Sequence, residues 1–221
     1  MSTAKNDPII VKVEDIEPGF NWDRAIPAPV YMAVDFEERV NFRHLRDYRL
    51  GRAKQALAES ELGAIMCLDA NNIRYISGTV IGEWSRGKMS RYALLTGTGD
   101  PHIWDFGSAA SHHRLHMPWL SAGCVHAGML GLRGAVPPDA GLMKKAAQQI
   151  QSIMIEHGVA DMPLGVDIIE PPLFYELQEL GIEVRDAQQT MLNAREIKNI
   201  DEIVLLNQAA AMVDGVYHQI F

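Results

Sequence analysis

His112-His113-Arg114-Leu115-His116 is the densest run of metal-ligating side chains in the chain. On a helix, His112 and His116 would share a face one turn apart, as two imidazoles on one zinc ion do. The zinc-peptidase pattern His-Glu-x-x-His needs a glutamate where His113 stands, so the general base is missing, and no third ligand is evident. The run is therefore expected to be a solvated or hydrogen-bonded cluster that holds no metal. A second group is Trp84, Arg86 and Arg91, placed in a glycine-rich stretch with Gly78, Gly82 and Gly87. On residue chemistry alone this is a packed indole beside two surface cations. Guanidiniums also pair with carboxylates through two parallel hydrogen bonds, and an indole offers a broad apolar face.

These residues need elements to hold them. Val40, Leu45, Tyr48, Ala53, Ala56 and Leu57 fall on one helical face, so 36–61 is expected to be a helix stopped at Gly63. Short apolar runs predict strands at 64–68, 73–76, 91–95, 102–106, 122–127, 164–168 and 182–184. Helices are expected near 108–117, 140–157, capped by Asp139, and 172–180, opened by Pro171-Pro172. Strands alternating with helices predict an α/β domain over 36–192, with a mixed central sheet flanked by helices. Residues 1–35, punctuated by Pro8, Pro18, Pro27 and Pro29, read as an extended arm.

Composition narrows the function classes. With 48% hydrophobic and 22% charged residues among 221, the chain is ordinary globular protein. A formal net charge of -8 argues against nucleic acid and anionic lipid as partners. No run reaches the ~18 apolar residues of a membrane span, and no signal peptide opens the chain, so a cytoplasmic location is expected. Cys67 and Cys124 each lie in an apolar run and read as small buried hydrophobes.

The end of the chain carries further information. Asn199-Ile200-Asp201-Glu202 has the form of a capping box. The helix it starts sets Ile203, Leu206, Ala210, Val213, Tyr217 and Ile220 on one face, a stripe that needs a partner. The expectation is a linker and first helix, 193–221, of a further domain that the chain does not include, with the apolar face projecting away from 36–192.

Several of these segments resemble a known family. Asn72-Ile73-Arg74-Tyr75-Ile76-Ser77-Gly78 resembles the Asn-x-Arg-Tyr-x-x-Gly segment in N-terminal domains of the creatinase, prolidase and aminopeptidase P family. Ala194-Arg195-Glu196-Ile197-Lys198-Asn199-Ile200-Asp201-Glu202-Ile203 resembles its Arg-x-Ile-Lys-Ser-x-x-Glu-Ile junction, with Asn199 for the usual serine. Gly165-Val166-Asp167 fits the family's late strand. Asp69, Asn72 to Tyr75, Thr79, Trp84, Arg91 and Ile103-Trp104-Asp105 are similar to the branch that cleaves dimethylsulfoniopropionate to dimethyl sulfide and acrylate.

The resemblance implies a creatinase-type N-terminal domain followed by the first helix of a pita-bread catalytic domain. It implies that two divalent metal ions, held by two Asp, one His and two Glu, belong to that catalytic domain beyond Phe221, and that this chain carries no cofactor and no catalytic residue. It also implies a homodimer, contact with the chain's own C-terminal catalytic domain, and a small-molecule or peptide substrate. Trp84, with Arg86 and Arg91, would help wall the pocket, while Arg74 and Tyr75 would be structural, Arg74 pairing with Asp69 or Asp105. Two readings follow. One is the front domain of a metal-dependent hydrolase of the Xaa-Pro aminopeptidase or creatinase kind, with a dimethylsulfoniopropionate lyase as its variant. The other is a stand-alone dimerisation or binding module.

Overall fold

A computed structural model of the chain describes residues 40–79, 91–128 and 135–220. The proposed arm 1–35 lies outside the described residues, as do Trp84 and Arg86. In chain order the elements are α1 (Phe42–Ala58), β1 (Ala64–Cys67), α2 (Ala70–Ser77), β2 (Tyr92–Thr96), β3 (His102–Phe106), α3 (Gly107–His116), β4 (Val125–Gly128), α4 (Leu142–Glu156), β5 (Leu164–Val166), α5 (Pro171–Glu179), β6 (Val184–Asp186), α6 (Gln188–Glu196) and α7 (Ile200–Ile220).

The six strands form one mixed sheet in the order β4-β3-β2-β1-β5-β6. β1 with β2 and β2 with β3 are antiparallel, while β1 with β5, β3 with β4 and β5 with β6 are parallel. The middle strands are covered on both faces, which is why they read as continuous apolar runs. Ile65, Cys67, Ala93, Leu95 and Ile103 face a core built with α1, α2, α3 and α6. Met66, Leu94, Trp104, Leu164 and Val166 face a second core built with α4 and α5. Each large side chain fully buried in these layers contributes about 1.5–3 kcal/mol.

Three expectations need correction. Residues 73–76 are not a strand. Asp69 accepts a hydrogen bond from Asn71 N at 2.9 Å and starts α2, and Gly78, at φ +70°, ends it in the left-handed conformation. The apolar residues at 73 and 76 were one helical turn apart, and a short apolar run cannot separate the two periods. Asp139 does not cap α4, whose cap is Gly141 at φ +66° after a short 3-10 turn at Pro138–Ala140. Finally, α6 was missed. Its N-cap is Ala187, which makes no capping bond. Its main signal is three small or flexible inward residues, Thr190, Met191 and Ala194, which packing selects and propensity does not.

Close approach explains one glycine. A Cβ on Gly165 of β5 would lie 2.5 Å from Leu62 Cδ1 and 2.9 Å from Ala187 Cβ. The strand therefore needs glycine there to let the 187–194 segment settle on the sheet.

Candidate functional site

Asp105 stands on β3 beside Ile103, on the sheet face covered by α3. A buried carboxylate needs donors, and three converge on its Oδ2. Arg91 donates from Nε at 2.6 Å and Nη2 at 2.5 Å, and His113 of α3 approaches through Nε2 at 2.5 Å. Oδ1 accepts the Phe106 backbone N–H at 2.7 Å. Burial alone would raise the Asp105 pKa, but the hydrogen bonds from His113 and Arg91 outweigh it and hold the group below the usual carboxylate range. His113 Nδ1 lies 3.1 Å from the Thr79 hydroxyl and 3.1 Å from Met117 Sδ. With the Nε2 proton facing the carboxylate, Nδ1 is left to accept the Thr79 O–H.

Hydroxyl, imidazole and carboxylate thus stand in the order of a nucleophilic triad. The environment denies that chemistry. Thr79, His113 and Asp105 are 1%, 2% and 1% exposed, so no substrate reaches the hydroxyl, and Arg91 already neutralises the carboxylate. The cluster is a buried tie.

Arg91 was expected as a surface cation or carboxylate anchor. It is 6% exposed and two of its nitrogens are committed to Asp105. Its Nη1 is buried and has no hydrogen-bond partner among the described residues. Asp105 does take an arginine, but Arg91 and not Arg74, which is exposed on α2. The histidine run is also divided: His113 is buried, while His112 and His116 are exposed with ring centroids 4.2 Å apart. Among the described residues, no three His, Cys, Asp or Glu side chains are grouped to hold a metal ion.

The Asn72-Ile73-Arg74-Tyr75 segment is a second tie. Asp167, just after β5, accepts from Leu68 N at 2.8 Å, Asp69 N at 3.1 Å, Asn72 Nδ2 at 2.8 Å and Ile168 N at 2.7 Å. This fastens the start of α2 to the carboxyl ends of β1 and β5. Tyr75 fills core, and its hydroxyl donates to the Ala194 carbonyl at 2.8 Å. Burial, followed by the charge of Glu202, pushes the Tyr75 phenol up to about 12.

The third tie is the base of α7. Glu202 N donates to Asn199 Oδ1 at 2.9 Å and Asn199 N to Glu202 Oε2 at 3.3 Å, the reciprocal pair of a capping box. The two acids also reach α1. Asp201 accepts from Asn41 N at 2.9 Å and His44 Nδ1 at 2.6 Å, and Glu202 accepts from Arg49 Nε at 2.8 Å. Both are buried. Beyond this base the apolar stripe is bare: Ile203 is 42%, Leu206 55%, Val213 53%, Tyr217 58% and Ile220 71% exposed.

On the opposite sheet face lies a stack the sequence did not announce. Tyr92 stacks on Trp104 with centroids 4.8 Å apart, and Trp104 on His126 at 4.8 Å. His102 Nδ1 and His126 Nε2 share a hydrogen bond of 3.0 Å. The signal was register: His102 and Trp104 alternate on β3, and β4 sets His126 opposite Trp104.

No protein-family model matches the chain. Over 174 residues it is 25% identical to the dimethylsulfoniopropionate lyase DddP of Roseovarius nubinhibens, a match covering 76% of this chain and 38% of that protein. Its fold matches an Xaa-Pro dipeptidase from Bacillus anthracis with TM-score 0.56 and 16% identity, over 79% of this chain and 42% of that one. A dipeptidase from Pyrococcus horikoshii matches equally, with TM-score 0.56 and 17% identity, over 78% of this chain and 43% of that one. The chain is thus similar in sequence to this lyase and shares its fold with part of each of the two dipeptidases. It spans well under half the length of each of these three relatives. The mixed sheet and its flanking helices are the fold shared with those two structures, and the segments that carried the resemblance now have mechanical roles. Asn72 and Asp167 tie α2 to the sheet, and Asn199 with Glu202 opens α7.

Proposed function

We propose that this chain is the non-catalytic N-terminal domain, residues 36–192, of a metal-dependent enzyme related to Xaa-Pro aminopeptidases and prolidases. Residues 193–221 are its linker and the first helix of the catalytic domain. The observation that carries this reading is α7: its first turn is fastened to α1 by buried acids, while its apolar face is bare. A face of that kind is stabilised by a further layer of protein. The relatives are also more than twice as long as the part matched. In this reading the enzyme is a homodimer in the cytoplasm. No described helix is long and apolar enough to cross a membrane.

The implied pair of divalent metal ions does not fit the residues described, since no three ligands converge there; it is assigned to the catalytic domain. Trp84 and Arg86 contribute to the substrate pocket, Arg86 taking a carboxylate. The lyase variant is favoured by one observation, the 25% identity to DddP across 76% of the chain; its substrate would be dimethylsulfoniopropionate.

The test is the enzyme encoded with this segment. A coding sequence that continues through an Asp, Asp, His, Glu, Glu ligand set, and a product whose turnover of dimethylsulfoniopropionate or an Xaa-Pro dipeptide is abolished by chelation, supports the proposal. A 221-residue product that functions alone, as a dimer or a binding module, overturns it.

A further inference from the structure

α3 turns one of its histidines inward and presents the other two to solvent. Its inner face is anchored: Ala110 and His113 are buried, and Arg114 reaches back to β4, where Nη2 donates to the Val125 carbonyl at 2.7 Å. His112 and His116 lie on the outer face, one turn apart and exposed. Their rings are not splayed. The centroids are 4.2 Å apart and the ring planes differ by 35°. Two imidazole nitrogens, each ~2.0–2.1 Å from one ion at about a right angle, stand roughly 3 Å apart. Rings already side by side on an anchored helix need little adjustment to meet that requirement. His116 is also the last residue of α3, where the aligned backbone dipoles favour a positive charge.

We propose that His112 and His116 form a binding site for a borderline transition-metal dication of the Zn2+, Ni2+ and Cu2+ class, the metals that imidazole suits. Two ring nitrogens hold the ion, and water fills its other coordination positions. His113 supplies no third ligand, because its Nε2 meets Asp105 and its Nδ1 meets Thr79. The sequence set the run aside as metal-free for want of that third ligand and of a general base. Their absence makes the site an open, exchanging one that binds without hydrolysing, and it does not exclude a two-point chelate. This ion is distinct from the metal pair assigned to the catalytic domain, and the site does not rest on the function proposed above.

The test is a calorimetric titration of the intact, untagged chain with Ni2+, which leaves the cysteines unoxidised. The expected result is one ion bound per chain. His112→Gln and His116→Gln should each weaken binding by about tenfold or more, since one imidazole alone loses the effective concentration that the second supplies. His218→Gln, on α7, should leave it unchanged. Ni2+ should also raise the Tm of the parent and of neither His112→Gln nor His116→Gln, because the chelate exists only on the folded helix. No binding by the parent would overturn the proposal, as would parental affinity in either of those two variants. Binding lost only in Cys124→Ser would overturn it too, placing the ion at Cys124 and His102, whose Sγ and Nε2 lie 3.9 Å apart.

Discussion

His102 and His126 show how a side chain's surroundings decide its chemistry. Burial lowers the pKa of both, carrying His126 to about 4, with neighbouring positive charge from His157 and Arg114 acting in the same direction and Glu156 and Asp100 opposing it at His102. An unfolded chain takes up a proton near pH 6.5 that the native state refuses until about pH 4. Stability is therefore fully present above about pH 6.5 and declines as pH falls toward 4. Urea midpoints measured from pH 7.5 to 4 should show that decline, and His126→Phe, which keeps the stack, should flatten it. An equally steep profile in the variant would show that other groups carry the slope. Sequence reasoning could not find this pair, because its members come from separate strands and meet only through strand register. It did read Tyr75 correctly as core, and it offered Asp69 or Asp105 to Arg74, whereas Asp105 takes Arg91. Arg74 faces outward once 70–77 is a helix, and Arg91 reaches Asp105 from the residue just before β2.

At the scale of elements, the legible parts were those whose apolar pattern spans many residues, as in α1 and α4, or whose start is marked by prolines, as in α5. α1, α4 and α5 fall within a few residues of expectation, and Gly158 at φ +69° and Gly181 at φ +78° mark the stops. α2 and α6, eight and nine residues long, were misread or missed because each lacks a proline start and is held by tertiary bonds that no local pattern displays. Asp167 supplies those bonds to α2. For α6 they come from Arg52, whose Nη2 donates to the Asn193 carbonyl at 2.8 Å, and from Tyr75. Gly165 tests the close approach of this region to the sheet. Gly165→Ala should cost about 1–3 kcal/mol, the usual effect of overpacking, seen as a lower urea midpoint with an unchanged slope. A neutral result would mean that Leu62 and Ala187 have room to move.

For the whole molecule, the outcome turns on where 193–220 becomes independent of the sheet and its helices. The sequence placed the boundary at 193. Past that point, Ala194, Ile197, Asp201 and Glu202 still bond to α1 or α2 residues. Two shortened chains separate the possibilities. Ending the chain after Ala210 removes much of the bare stripe, so self-association should fall and Tm should shift by no more than about 2 °C. Ending it after Asn193 removes several hydrogen bonds to charged groups, worth about 1.5–3 kcal/mol each, and should lower Tm by roughly 6 °C or more at ~2–4 °C per kcal/mol. Equal melting of the two would mean that the buried acids contribute nothing. The mechanical corollary concerns leverage. α7 has 21 residues, a rod about 30 Å long held at one end. A tilt of about 5° at the grip of His44 and Arg49 would carry its tip about 2.5 Å sideways. The accuracy with which anything seated along that rod meets its counterpart is therefore set by a few bonds at its foot.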